Sequence, residues 1–176
     1  MNRNARARSR RSGHDRNSSF RWTWQVPSEP FEPRLLLAAP GLVAAYGFEE
    51  GTGTTVADLS GLNNPGTIAG ASWTTAGRFG RALSFDGVND WVTVADAASL
   101  DLTTALTLQA WVLPTASSGV RDILLKEGAN VDIYNLYARN GFGRPESNVF
   151  VGGQNRTAEG ATLASNTWTH VAGTYD

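Results

Sequence analysis

From residue 41 to the end, apolar and polar side chains alternate in short runs separated by glycine-rich and oxygen-rich stretches. The clearest run is LTLQAWVLP, residues 106–114, in which Leu106, Leu108, Ala110 and Val112 point one way and Thr107, Gln109, Trp111 and Leu113 the other. A period of two closed by a proline predicts a β-strand. Large apolar groups on both faces predict a strand covered on both sides, as at the centre of one leaf of a sandwich. Shorter alternations predict strands at 42–48, 66–69, 72–74, 82–85, 91–94, 122–126, 131–138, 148–151, 161–163 and 167–175. The polar connection 96–104 has room for one helical turn. Asp86-Gly87, between two alternating runs, predicts a tight hairpin turn. No segment has a convincing amphipathic helical period. The expectation is an all-β fold, a two-sheet antiparallel jelly-roll sandwich.

Charge divides the chain. Residues 1–34 carry eight arginines against Asp15, Glu29 and Glu32, while from Leu35 onward six arginines and Lys126 face 13 acids. The segments are therefore about five units positive and six negative, although the whole chain sums to -1. An acidic body argues against nucleic acid as its partner, although a basic arm alone can hold phosphates. Residues 1–40 are expected to form a disordered arginine-rich leader, because they offer too little periodic apolar surface to offset the entropy of ordering. Its one alternating run is Phe20, Trp22, Trp24 and Val26.

No run of 18 apolar residues is present, so no membrane-spanning helix is expected. LLLAAPGLVAA, residues 35–45, has the length of a signal-peptide core, but it contains Pro40 and Gly41 and runs on into the first predicted strand. With no cysteine in the chain, neither disulfide nor thiolate chemistry is available.

Two resemblances add to this pattern. EPFEPRLLLAA, residues 29–39, resembles the short Glu-Pro-Arg-x-Leu-Leu leader motif of some large bacterial exported proteins, with Phe31 in place of the usual leucine. It implies a secreted or bacterial cell-surface location. Six blocks in order, GLVAAYGFEEG (41–51), DLSG (58–61), GRALSFDG (80–87), DWV (90–92), LTLQAWV (106–112) and WTHVAGTYD (168–176), resemble the laminin-G-like domains of the concanavalin A-like lectin/glucanase superfamily. That resemblance implies one domain over 41–176, two stacked antiparallel sheets, often a calcium ion, and a binding or adhesive role on glycans or surface proteins. Such domains usually sit in larger multidomain proteins and continue past the WTHVAGTYD block, so the domain is expected to be truncated at its C-terminal end.

The same fold includes glucanases, whose acids alternate along a strand. Glycoside hydrolysis needs two carboxylates about 5 to 9 Å apart. Here Glu49 and Glu50 are adjacent, while Asp122, Glu127 and Asp132 are spaced by five, and no predicted strand carries Glu-x-Asp or Glu-x-Glu. No nucleophile elbow, HExxH, EF-hand or phosphate loop is present. His170 alternates with Trp168 and Ala172, which predicts a partly buried structural histidine. The chain is expected to be a non-catalytic module. The rival expectations are an accessory carbohydrate-binding domain of a secreted glycoside hydrolase or lyase, or a ligand-free spacer.

Calcium, which takes six to eight oxygen ligands, is the cofactor to weigh. Asp58, Ser60, Asn63 and Asn64 gather oxygens within seven residues, and the same residues equally make an Asx turn. Asp86, Asn89 and Asp90 form a second oxygen cluster expected to cap the predicted hairpin. Of the tryptophans, Trp91 beside Asp90 is the candidate for stacking on a sugar face, the others being expected to pack within the sheets.

Overall fold

The computed structural model describes residues 41–116 and 118–176; the leader expected at 1–40 lies outside the described residues. Eleven strands follow in chain order, β1 (Thr55–Val56), β2 (Gly66–Ala69), β3 (Ser72–Gly77), β4 (Gly80–Ser84), β5 (Trp91–Val94), β6 (Leu106–Val112), β7 (Arg121–Glu127), β8 (Asp132–Arg139), β9 (Glu146–Val151), β10 (Gln154–Glu159) and β11 (Thr169–Tyr175). The one helical turn among the described residues is a 3-10 turn at Ala98–Leu100, inside the connection where one was expected. The fold is all-β, with every ladder antiparallel.

The ladders are β1–β2–β5, the β3–β4 hairpin, the β6–β11 pair and the four-stranded meander β7–β8–β9–β10. The core lies between the last two. Leu106 and Leu108 of β6 and Val171 of β11 cluster with Tyr134 and Leu136 of β8 and Val149 of β9. The alternating side chains of LTLQAWV thus put one apolar row against a second sheet. Val112, Leu163 and Tyr175 pack around this cluster. Gly173 brings β11 close to β9: a Cβ there would lie 2.3 Å from that of Ser147. The chain's one lysine, Lys126 on β7, pairs with Asp96 and with Asp101 at 3.3 Å, tying the 96–104 connection to the meander.

Several expectations are corrected. The outer row of β6 is open rather than covered, with Thr107 and Gln109 exposed and Trp111 and Leu113 partly so. The β3–β4 tip reaches this side, where Phe79 meets the Trp111 ring edge-on at 5.5 Å and Arg78 lies 5.0 Å from its centre. Residues 42–48 form no strand, because Phe48 turns to φ 55 and side chains supply bonds that a ladder would have made. Residues 161–163 are irregular, although Leu163 still packs on the core. Asp86-Gly87 turns the chain, with Gly87 at φ 76, but joins no hairpin: β4 pairs with β3 and β5 with β2. His170 is exposed rather than partly buried, and its ring lies 5.3 Å from that of its cross-strand partner Trp111.

Candidate functional site

The Asp58 turn is built from its own hydrogen bonds. Oδ1 of Asp58 accepts the Ala45 and Ser60 amides at 3.0 and 2.9 Å, and Oδ2 accepts the Ser60 hydroxyl and the Asn64 amide at 2.7 and 3.0 Å. Burial acts to raise this carboxyl, and the bonds from Asn64, Ser60 and Ala45 outweigh it, leaving it below the usual carboxylate range. Asn64 is buried and donates to the Val43 carbonyl at 2.9 Å and to Ser99 Oγ at 3.1 Å. Ser60 is buried as well, and Asn63 is exposed at φ 58. The turn thus ties residues 43–46 to the 58–64 loop. Four donors from the chain itself occupy the one carboxylate, so its lone pairs are spent inside the turn rather than held free for a calcium ion. Among the described residues no group of three or more His, Asp or Glu is arranged to hold a metal.

Asp90 and Trp91 are separated in role. Asp90 Oδ2 accepts the Asp86 amide at 2.7 Å and Asp86 Oδ1 accepts the Val88 amide at 2.8 Å, so the acids shape their own loop. Trp91 stands on edge strand β5, 56% exposed, with Ala69 as its cross-strand neighbour. Glu49 and Glu50 also serve the loops, accepting the Arg81 and Ala57 amides at 3.1 and 2.8 Å.

The arrangement that sequence spacing did not reveal lies on the meander. Tyr134, Leu136 and Val149 turn inward, so Asn135, Tyr137, Glu146 and Asn148 line the other face of β8 and β9. The register sets Asn135 opposite Asn148 and Tyr137 opposite Glu146. Asn148 Nδ2 donates to Asn135 Oδ1 at 3.0 Å and to Glu146 Oε1 at 2.5 Å. Asn135 Nδ2 donates to the Tyr137 hydroxyl at 3.4 Å, and Thr157 of β10 donates to Asn148 Oδ1. From the β8–β9 turn, Asn140 Nδ2 bridges Glu146 Oε2 at 2.6 Å and Glu159 Oε1 at 2.9 Å. Asn135 and Asn140 are nearly fully buried, at 4% and 5% exposure. A network satisfied this completely fixes side-chain orientation before any ligand arrives.

Above the network is an open concavity of about 380 Å³, bounded by Asn135, Tyr137, Glu146 and Asn148, by Asn155 of β10 and by residues 130–132. Desolvation and the charges of Asp122, Asp132 and Glu146 push the Tyr137 hydroxyl above its ordinary value, so it stays protonated at neutral pH. Desolvation and the neighbouring Asp132 raise the Asp122 carboxyl. Two acids ten residues apart in sequence are thus within electrostatic reach of each other. The surface offers amide donors, amide and carboxylate acceptors and a phenol: the groups that bind a polyhydroxylated molecule.

No match was found among curated proteins or among solved structures. A laminin-G-type family profile, described as the concanavalin A-like lectin/glucanases superfamily, matches residues 86–176, just over half of the chain. The matched span takes in both leaves of the core and the whole polar face of the meander. Members of this family often bind carbohydrates or proteins. With antiparallel sheets throughout, and the β6–β11 pair packed on the meander over an apolar core, the chain belongs to the laminin-G type of the concanavalin A-like lectin/glucanase superfamily.

Proposed function

We propose that the domain is a non-catalytic recognition or adhesion module of an exported bacterial surface protein, and that it binds glycan on the outer face of β8 and β9. The observation that carries this is the ordered Asn135–Asn148–Glu146 network beneath an open concavity. It presents donors and acceptors held in fixed orientation by two adjacent strands, the groups that bind the hydroxyls of a sugar ring. Glu146 is held as an acceptor between two amides, which suits binding better than proton transfer. The arginine-rich leader and its Glu-Pro-Arg segment support export, and the family resemblance supports a place within a larger protein. Calcium has no part at the Asp58 turn in this proposal.

A glycan array probed with the tagged domain, followed by titration of the best ligand, tests the proposal. Retention is expected with and without chelator, and Asn148→Ala is expected to abolish it while circular dichroism stays unchanged. Binding that survives Asn148→Ala but is lost in Trp91→Ala would move the site to β5. Failure to retain any glycan would leave the spacer reading standing.

A further inference from the structure

The residues around the concavity differ in charge from a surface made for acidic polymers. Asp132 and Glu146 border it, Asp122 is the cross-strand partner of Tyr137 at its side, and among the described residues no lysine or arginine lines it. Of the cations on neighbouring strands and turns, Arg139 donates to the Gly143 carbonyl at 3.3 Å, Arg144 pairs with Glu159 at 3.4 Å, Lys126 pairs with Asp96 and Asp101, and Arg156 stands opposite inward-facing Val149, on the other face of β10 from Asn155. An incoming sulfate or uronate would meet the Asp132 and Glu146 carboxylates with no cation in the lining beside them. A hydroxyl or ammonium group would find acceptors already aimed outward.

From this we infer that the concavity selects saccharides without acidic groups and favours amino sugars, whose ammonium the Asp132 and Glu146 carboxylates would hold. The inference rests on the recognition role proposed above and adds its ligand class. Asn148, held in place by Asn135, orients the ring through its hydroxyls, and the carboxylates read its charge. Asp132 accepts no hydrogen bond from another side chain among the described residues, so its charge can be removed without dismantling the network.

Calorimetric titration with three oligosaccharide series tests the inference: glucosamine oligomers, N-acetylglucosamine oligomers and sulfated heparin fragments of equal length. The expected order of affinity is the order given. Asp132→Asn should weaken the glucosamine series by up to about fivefold, the scale of one exposed charge pair, leave the N-acetylated series unchanged and narrow the gap to heparin. Glu146→Gln serves as the second variant, with a melting curve to confirm folding. Heparin fragments binding as tightly as glucosamine oligomers would overturn the charge selection and leave glycan recognition in place. An unchanged glucosamine affinity in both variants would overturn the role of the carboxylates. No binding in any series would overturn the recognition role itself, and the inference with it.

Discussion

Asn135 and Asn148 are Cα partners across β8 and β9, and their side-chain amides meet at 3.0 Å on the face opposite the core. On the residues either side of them, Leu136 and Val149 are buried in that core. The same two strands therefore hold the leaves together on one side and present a polar surface on the other. Changes to the two faces should separate stability from binding.

Leu136 is 1% exposed, while Leu124, its partner on edge strand β7, is 37% exposed. Leu136→Ala is expected to cost about 2–5 kcal/mol, the range for a buried leucine. Leu124→Ala should cost well under half of that. Urea denaturation of the two variants checks the contrast, and equal losses would mean that the interior is not where we describe it.

Asp58→Ala removes an acceptor from three amides and a hydroxyl. The expected loss is about 1–3 kcal/mol, the cost of leaving polar groups unsatisfied, and the same with calcium or chelator present. The sign with pH follows from the lowered carboxyl. The stabilisation is complete above the unfolded-state value of about 3.9 and is lost as pH falls through the lower folded-state value. Wild type should therefore lose part of its advantage over Asp58→Ala in acid. A calcium-dependent melting temperature that disappears in the variant would restore a metal role to this turn.

Burial, then the charges of Asp58 and Tyr134, push the Tyr46 hydroxyl up to about 12, and it donates to the Asn64 carbonyl at 2.7 Å. Its folded-state value exceeds the unfolded one, so its stabilisation is present below about pH 10 and is lost as pH rises toward the folded value. Tyr46→Phe should flatten the alkaline limb of the stability curve, followed by the ultraviolet absorbance of tyrosinate.

Gly173→Ala places a methyl group 2.3 Å from the Ser147 Cβ. A loss of about 1–3 kcal/mol is expected, as for overpacking, with part of it recovered in Gly173→Ala combined with Ser147→Gly. A double-mutant cycle with no coupling would show that β9 and β11 are not in contact there.

Much of the core was legible in sequence, because a period of two determines which residues share a face once one face is apolar. Leu106 and Leu108 were assigned to one row in this way. Strand β10 was not legible: QNRTAE is exposed throughout and gives no alternation. The Asp86-Gly87 turn was found without its pairing, since local turn chemistry does not say which strand lies beside which. The polar face of the meander was hidden for a related reason. Nothing in their local sequence sets Asn135 or Asn148 apart, and it is the β8–β9 register that brings them together. At Asp58 the oxygens were counted correctly, but their use by nearby amides depends on how residues 43–46 return past the loop. The family match begins at Asp86, so the resemblance of the earlier blocks stands on the sequence alone.

The most direct measurement is a side-chain amide NMR titration of the domain with the best-retained glycan. The Asn135 and Asn148 amide resonances should shift together, with the Tyr137 ring protons, while the Trp91 and Trp111 indole signals stay in place. Shifts confined to the tryptophans, with both asparagines silent, would contradict a ligand-binding face on the outer side of β8 and β9.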